Sequence, residues 1–77
     1  MTKQEFVRAL EAELEKPEGS LDPDQALTDV EGWDSLAVLL FISLSDAKFG
    51  VILSGDQIAG AKTVNDLLLL LGDRLEP

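Results

Sequence analysis

The chain contains no cysteine, no histidine and no tyrosine. Without cysteine, neither a disulfide nor a thiolate metal site can form. Without histidine, the commonest general base and the commonest metal ligand are both missing. An enzyme made from this inventory would have only carboxylates, lysines and hydroxyls to work with, so intrinsic catalysis is not expected. No apolar run reaches the roughly 18 residues of a membrane span, and the amino terminus shows no signal-peptide pattern. A cytoplasmic protein is the expectation.

Basic residues are also scarce: six stand against fifteen acids, for a formal charge of −9. Phosphate backbones should be repelled and basic protein surfaces attracted, so the expected partners are proteins and not nucleic acid. The charge is uneven. Residues 1–34 hold ten acids and three bases, whereas residues 35–77 hold five and three.

What remains is a short chain with strong helix punctuation. Its 77 residues suit one domain spanning 1–77, because single domains run from about 50 to 250 residues. Thr2-Lys3-Gln4-Glu5 reads as a capping box, followed by Phe6, Val7, Leu10 and Leu14 at helical spacing. Pro17 and Gly19 should end this helix near residue 16. Glu11, Glu13, Glu15 and Glu18 read as its solvated face.

Residues 17–34 carry two prolines, two glycines and six acids, and they read as a long connection with one short helical turn near Pro23 to Leu27. Connections of that length are uncommon in small domains and often functional. Leu21, Leu27 and Val30 should anchor it to the core. Asp22, Asp24, Asp29 and Glu31 suggest calcium, but an EF-hand loop needs its ligands in register, and Ala26 and Leu27 interrupt them.

A second helix should run from Ser35 to about Phe49, capped by Asp34 or Ser35 and stopped by Gly50. Val38, Leu39, Ile42 and Phe49 fall on one side of it, while Leu36, Ala37, Leu40, Leu44 and Ala47 spread over the other. A helix apolar all round is either enclosed or leaves apolar surface for a partner. Two readings follow: a fully packed central helix, or a partner-binding face at Ala37, Leu40 and Leu44. Ser54 to Gln57 and Thr63 to Asp66 are two further capping boxes. They predict a short third helix limited by Gly60 and a fourth through Leu67 to Leu71, extending to about Leu75. Strand-like alternation is absent, and the fold class is all-α.

A serine where a loop becomes a helix has an exposed hydroxyl beside unpaired backbone N–H groups, a setting that tolerates a phosphodiester. That placement of Asp34-Ser35-Leu36, with the acidic loop before it, Phe49-Gly50 after it and Thr63-Val64 opening the last helix, resembles the acyl carrier proteins over nearly the whole chain. The resemblance implies a small four-helix bundle with a long loop between helices 1 and 2 and a short third helix. It implies that Ser35 carries a 4′-phosphopantetheine arm installed by a phosphopantetheinyl transferase, and that the arm's thiol holds acyl groups as thioesters. A chain without cysteine must import such a thiol.

The resemblance further implies that Asp34 caps the helix and helps the transferase, and that Leu36 guides the arm. Acyl-loading and acyl-transferring enzymes would be the other partners, with the protein a free-standing monomer. Trp33 should be an anchor of the loop. Val51, Ile58, Val64, Leu67 and Leu68 are candidates to line an acyl cavity, or are ordinary core.

Fatty-acid carriers usually display acids along the second helix, where Ala37 and Leu40 stand here, which suggests partners of a specialised pathway recognised partly by apolar contacts. A variant reading is an aminoacyl or peptidyl carrier, but those often have glycine and histidine before the serine, and this chain has Trp33-Asp34. A reading from a different class is an unmodified acidic helical adaptor.

Overall fold

Residues 1–76 are described by the computed structural model. Helix α1, Lys3–Glu13, opens on the expected capping box. Thr2 Oγ1 accepts the Glu5 N–H at 3.1 Å, and the Glu5 carboxylate accepts the Thr2 N–H at 2.8 Å. Phe6, Val7 and Leu10 turn inward and are buried.

The helix ends earlier than the prolines and glycines imply, because Glu15 enters the left-handed region at φ +57°. Glu15 N–H then reaches Ala12 O at 3.1 Å and Lys16 N–H reaches Glu11 O at 2.8 Å. These are the two bonds of a Schellman ending. Glycine usually takes the left-handed position, and another residue there costs about 1 kcal/mol.

The segment that follows is long but closely tied. Leu21, Leu27 and Val30 are buried, as expected of its anchors. Its one 3-10 turn lies at Leu27–Asp29, later than the Pro23–Leu27 expectation. Backbone bonds from Leu27 N–H to Lys62 O (2.9 Å), Val64 N–H to Gln25 O (3.0 Å) and Asn65 N–H to Pro23 O (2.8 Å) pin it along the second half of the chain.

Glu11 corrects the expectation of a solvated acidic face. It is only 1% exposed, and its two carboxylate oxygens accept the Gly19 N–H at 3.1 Å and the Leu21 N–H at 2.8 Å. Arg8 lies 3.7 Å from the same carboxylate and 3.5 Å from that of Glu18.

Helix α2, Ser35–Phe49, is the centre of the bundle. Phe41 is fully buried and meets Phe6 of α1 edge to face, with centroids 5.9 Å apart; Phe49 stacks on the same ring at 5.7 Å. Ser45 is buried too and donates its hydroxyl to Phe41 O at 2.9 Å, so no polar atom is stranded. Gly50, at φ +66°, closes the helix in the left-handed conformation that a side chain rarely adopts.

Two short helices complete the bundle: α3, Gly55–Ala59, and α4, Val64–Leu69, each opened by its predicted capping box. Helix α4 stops well short of Leu75. Gly72 at φ +57° diverts the chain into a 3-10 turn at Gly72–Arg74, which still buries Leu71 and Leu75. The termini meet, with Lys3 N–H on Glu76 O at 2.9 Å and Glu76 N–H on Met1 O at 3.0 Å. Among the described residues there are four α-helices and no β-strand, an all-α bundle of the predicted order.

Candidate functional site

The site is built at the join of the loop and α2. Val30 N–H bonds to Leu27 O at 3.1 Å, and Trp33 N–H bonds to Val30 O at 3.2 Å across a turn whose third residue, Gly32, has φ +80°. Trp33 is half-buried and packs against the core, the loop anchor expected of it.

Asp34, extended at φ −130°, is the N-cap, which decides between the two residues the sequence left open: its Oδ1 accepts the Ala37 N–H at 3.0 Å. Ser35 is the first helical residue and is exposed. Its hydroxyl makes no hydrogen bond with any described residue, and neither do the N–H groups of Ser35 and Leu36. A phosphodiester on Ser35 Oγ would therefore leave the fold intact and sit at two free donors and the positive end of a fifteen-residue helix.

A groove of about 360 Å³ lies between the loop, α2 and α3, with Leu27, Ile58 and Ala61 among its walls together with Trp33 and Val38, which flank Ser35 in sequence. A larger one, about 460 Å³, opens between α1 and the loop at Thr2, Lys3, Val7, Arg8, Glu11 and Leu21. None of the residues from Glu31 to Leu36 lines the larger one, so the smaller groove is the one at the site. Of the five candidate lining residues, Ile58 alone is on its wall. Val64, Leu67 and Leu68 are core residues at most 2% exposed, and Val51 packs half-buried against that core.

The expected partner face needs correction. Ala37 and Leu44 point into the bundle, at 2% and 6% exposed, and Leu40 is only half-buried. Phe41 fixes this rotation, because its ring must meet Phe6, and Ala37, Leu44 and Ser45 lie three or four residues from it on the same face. The outward large apolar residues of α2 are Leu36, at 64% exposed, and Leu39, at 61%. Leu39 was missed because an apolar helix gives no rotational signal of its own.

The helical bundle displays an unengaged serine hydroxyl at the start of its central helix. The chain belongs to the family described as Phosphopantetheine attachment site, which it matches over residues 4–71. Members of that family bear a covalently attached 4′-phosphopantetheine group and act as carriers rather than catalysts. No curated protein and no solved structure matches the chain. No helix among the described residues is long and apolar enough to cross a membrane, and no group of acidic residues there is placed to hold a metal ion.

Proposed function

We propose that this chain, as one domain over 1–77, is an acyl carrier protein whose arm is attached at Ser35 and which presents acyl intermediates to enzymes of a fatty-acid, polyketide or other specialised acyl pathway. The observation that carries the reading is the Ser35 hydroxyl: exposed, unbonded and one residue inside α2, beside two free amide donors. When bound, the prosthetic group supplies the thiol that this chain lacks, and acyl groups ride on it as thioesters. The chain's own residues do the rest. Asp34 fixes the start of α2, the free N–H groups of Ser35 and Leu36 would be available to the phosphate, and the exposed Leu36 would be the side chain next to the arm.

The groove at Trp33, Val38 and Ile58 lies in the volume range of small-ligand sites. Trp33-Asp34 before the serine supports the acyl class over the aminoacyl or peptidyl alternative. The transferase and the loading and transferring enzymes meet the protein at Leu36, Leu39 and the edge of Leu40 rather than at Ala37 or Leu44. The charge of −9 suits basic protein partners in the cytoplasm and disfavours nucleic acid.

The test is intact mass after incubation with coenzyme A, magnesium and a broad-specificity phosphopantetheinyl transferase, with Ser35→Ala in parallel. Gain of one phosphopantetheine by the wild type alone is the expected result. An unmodified wild type, folded and with active transferase, would make the chain an acidic helical adaptor with Ser35 as an ordinary helix-start residue.

A further inference from the structure

The end of α1 is joined to the turn that presents Ser35. Lys16 Nζ donates to the backbone carbonyl of Glu31 at 2.5 Å, fifteen residues away in sequence. Two backbone features make that reach possible. The first is the strained ending of α1. Glu15 at φ +57° reverses the chain so that Lys16 leaves the helix axis, its N–H held on Glu11 O. Strain in a non-glycine residue persists where the surroundings over-determine it, and it concentrates around functional segments.

The second feature is the turn from Val30 to Trp33. Gly32 has positive φ and Glu31 does not, which with the Trp33 N–H to Val30 O bond makes it a type II turn. Types I and II differ by a flip of the central peptide, and the carbonyl of that peptide is the one Lys16 holds. Glu31 itself is exposed, and no other bond from a described residue reaches its carbonyl. Beside the glycine and the Trp33 N–H bond, which favour the type II form, Lys16 is the one described residue that holds this carbonyl directly.

We propose that Lys16 is a positioning residue for Ser35: its ammonium locks the Glu31–Gly32 peptide in the type II orientation and so sets the angle at which Trp33, Asp34 and Ser35 enter α2. The proposal rests on the reading of Ser35 as the attachment residue. It ties α1, which touches neither the serine nor its groove, to presentation of the serine to the transferase. Releasing the carbonyl lets the turn sample the flipped form, so a smaller fraction of the carrier is competent to bind, and apparent affinity falls by that fraction.

The experiment compares the wild type with Lys16→Met, which keeps the aliphatic stem, and Lys16→Arg, which restores a cationic donor. Ser35 modification by the transferase is followed by intact mass at varied carrier concentration. The single tryptophan, Trp33, reports the turn directly through acrylamide quenching. The expected result for Lys16→Met is a KM raised by up to about threefold with kcat unchanged, since a roughly fivefold shift of the turn equilibrium lowers the competent fraction by no more than that, together with stronger quenching of Trp33. Lys16→Arg should restore both.

A Lys16→Met variant with the KM and quenching of the wild type overturns the proposal. So does a lowered melting temperature with KM and quenching unmoved, which would make Lys16 a stabilising residue only. An unmodified wild type would instead defeat the attachment reading, and the quenching comparison would still decide whether Lys16 holds the turn.

Discussion

The Glu11 carboxylate accepts the Leu21 N–H at 2.8 Å, with the acid and the amide both buried ten residues apart. With the Gly19 N–H on its other oxygen, Glu11 ties the beginning of the long loop to the inner side of α1. Removing it strands two amides, one of them buried, so Glu11→Ala should destabilise the fold by about 2–4 kcal/mol. Glu11→Gln keeps one acceptor oxygen and should cost about half of that. Urea unfolding followed by circular dichroism measures both. Equal stability of Glu11→Ala and the wild type would show that the loop is held by Leu21, Leu27 and Val30 alone.

Asp34 combines two roles that a pair of variants can separate. As N-cap it accepts the Ala37 N–H at 3.0 Å. Asp34→Ala should therefore lose about 1 kcal/mol, whereas Asp34→Asn caps nearly as well and should stay within a few tenths. If the negative charge serves the transferase, Asp34→Asn will fold like the wild type and still be modified more slowly. Matching rates for Asp34→Asn and the wild type would reduce Asp34 to its cap.

The legibility of this chain follows the range of the interactions involved. All three capping boxes, at Thr2 and Glu5, Ser54 and Gln57, and Thr63 and Asp66, formed where the sequence placed them. Each is closed within three residues, and nothing distant can move it. The start of α2 and its stop at Gly50 are local in the same sense.

Rotation of α2 was not legible. Apolar residues surround it, and only the Phe6–Phe41 contact between helices turns Ala37 and Leu44 inward and Leu36 and Leu39 outward. Glu11 was misread because its partners, Gly19 and Leu21, face it only after the loop has folded back. Helix ends were misjudged where a left-handed residue acted earlier than the obvious breaker, at Glu15 ahead of Pro17 and at Gly72 ahead of Leu75.

The capping box at Thr63 also predicts an acid response. Asp66 accepts the N–H groups of Lys62 and Thr63 on one oxygen, at 2.9 and 3.1 Å. These backbone bonds, that from Lys62 foremost, hold its pKa below the ordinary value of 3.8. Glu5 is lowered likewise, chiefly by the Thr2 N–H. A carboxylate with a lower pKa folded than unfolded stabilises the protein above its unfolded pKa and loses that contribution as pH falls through the folded one. The melting-temperature gap between the wild type and Asp66→Asn should therefore be constant near neutrality and close below pH 3.8. An NMR titration of the Asp66 carboxyl should place its midpoint under that value, and a midpoint at or above it would remove the basis for the closing gap.

The outward leucines separate recognition from stability. Leu36 and Leu39 leave more than half of their surface in water, so Leu36→Asp and Leu39→Asp should each change folding stability by about 0.5 kcal/mol or less. Ala37, only three residues from Asp34 and almost fully covered, behaves oppositely. Ala37→Asp forces a carboxylate into the bundle and should cost at least about 3 kcal/mol.

If enzymes dock on the exposed leucines, each aspartate there removes an apolar contact and sets an acid into an apolar patch. Affinity for the transferase should then drop about fivefold or more, as for a residue central to an interface. Binding of each folded variant to the transferase, measured by calorimetry, gives the answer. Leucine variants that bind like the wild type would move the docking surface off α2, towards the acids of the loop.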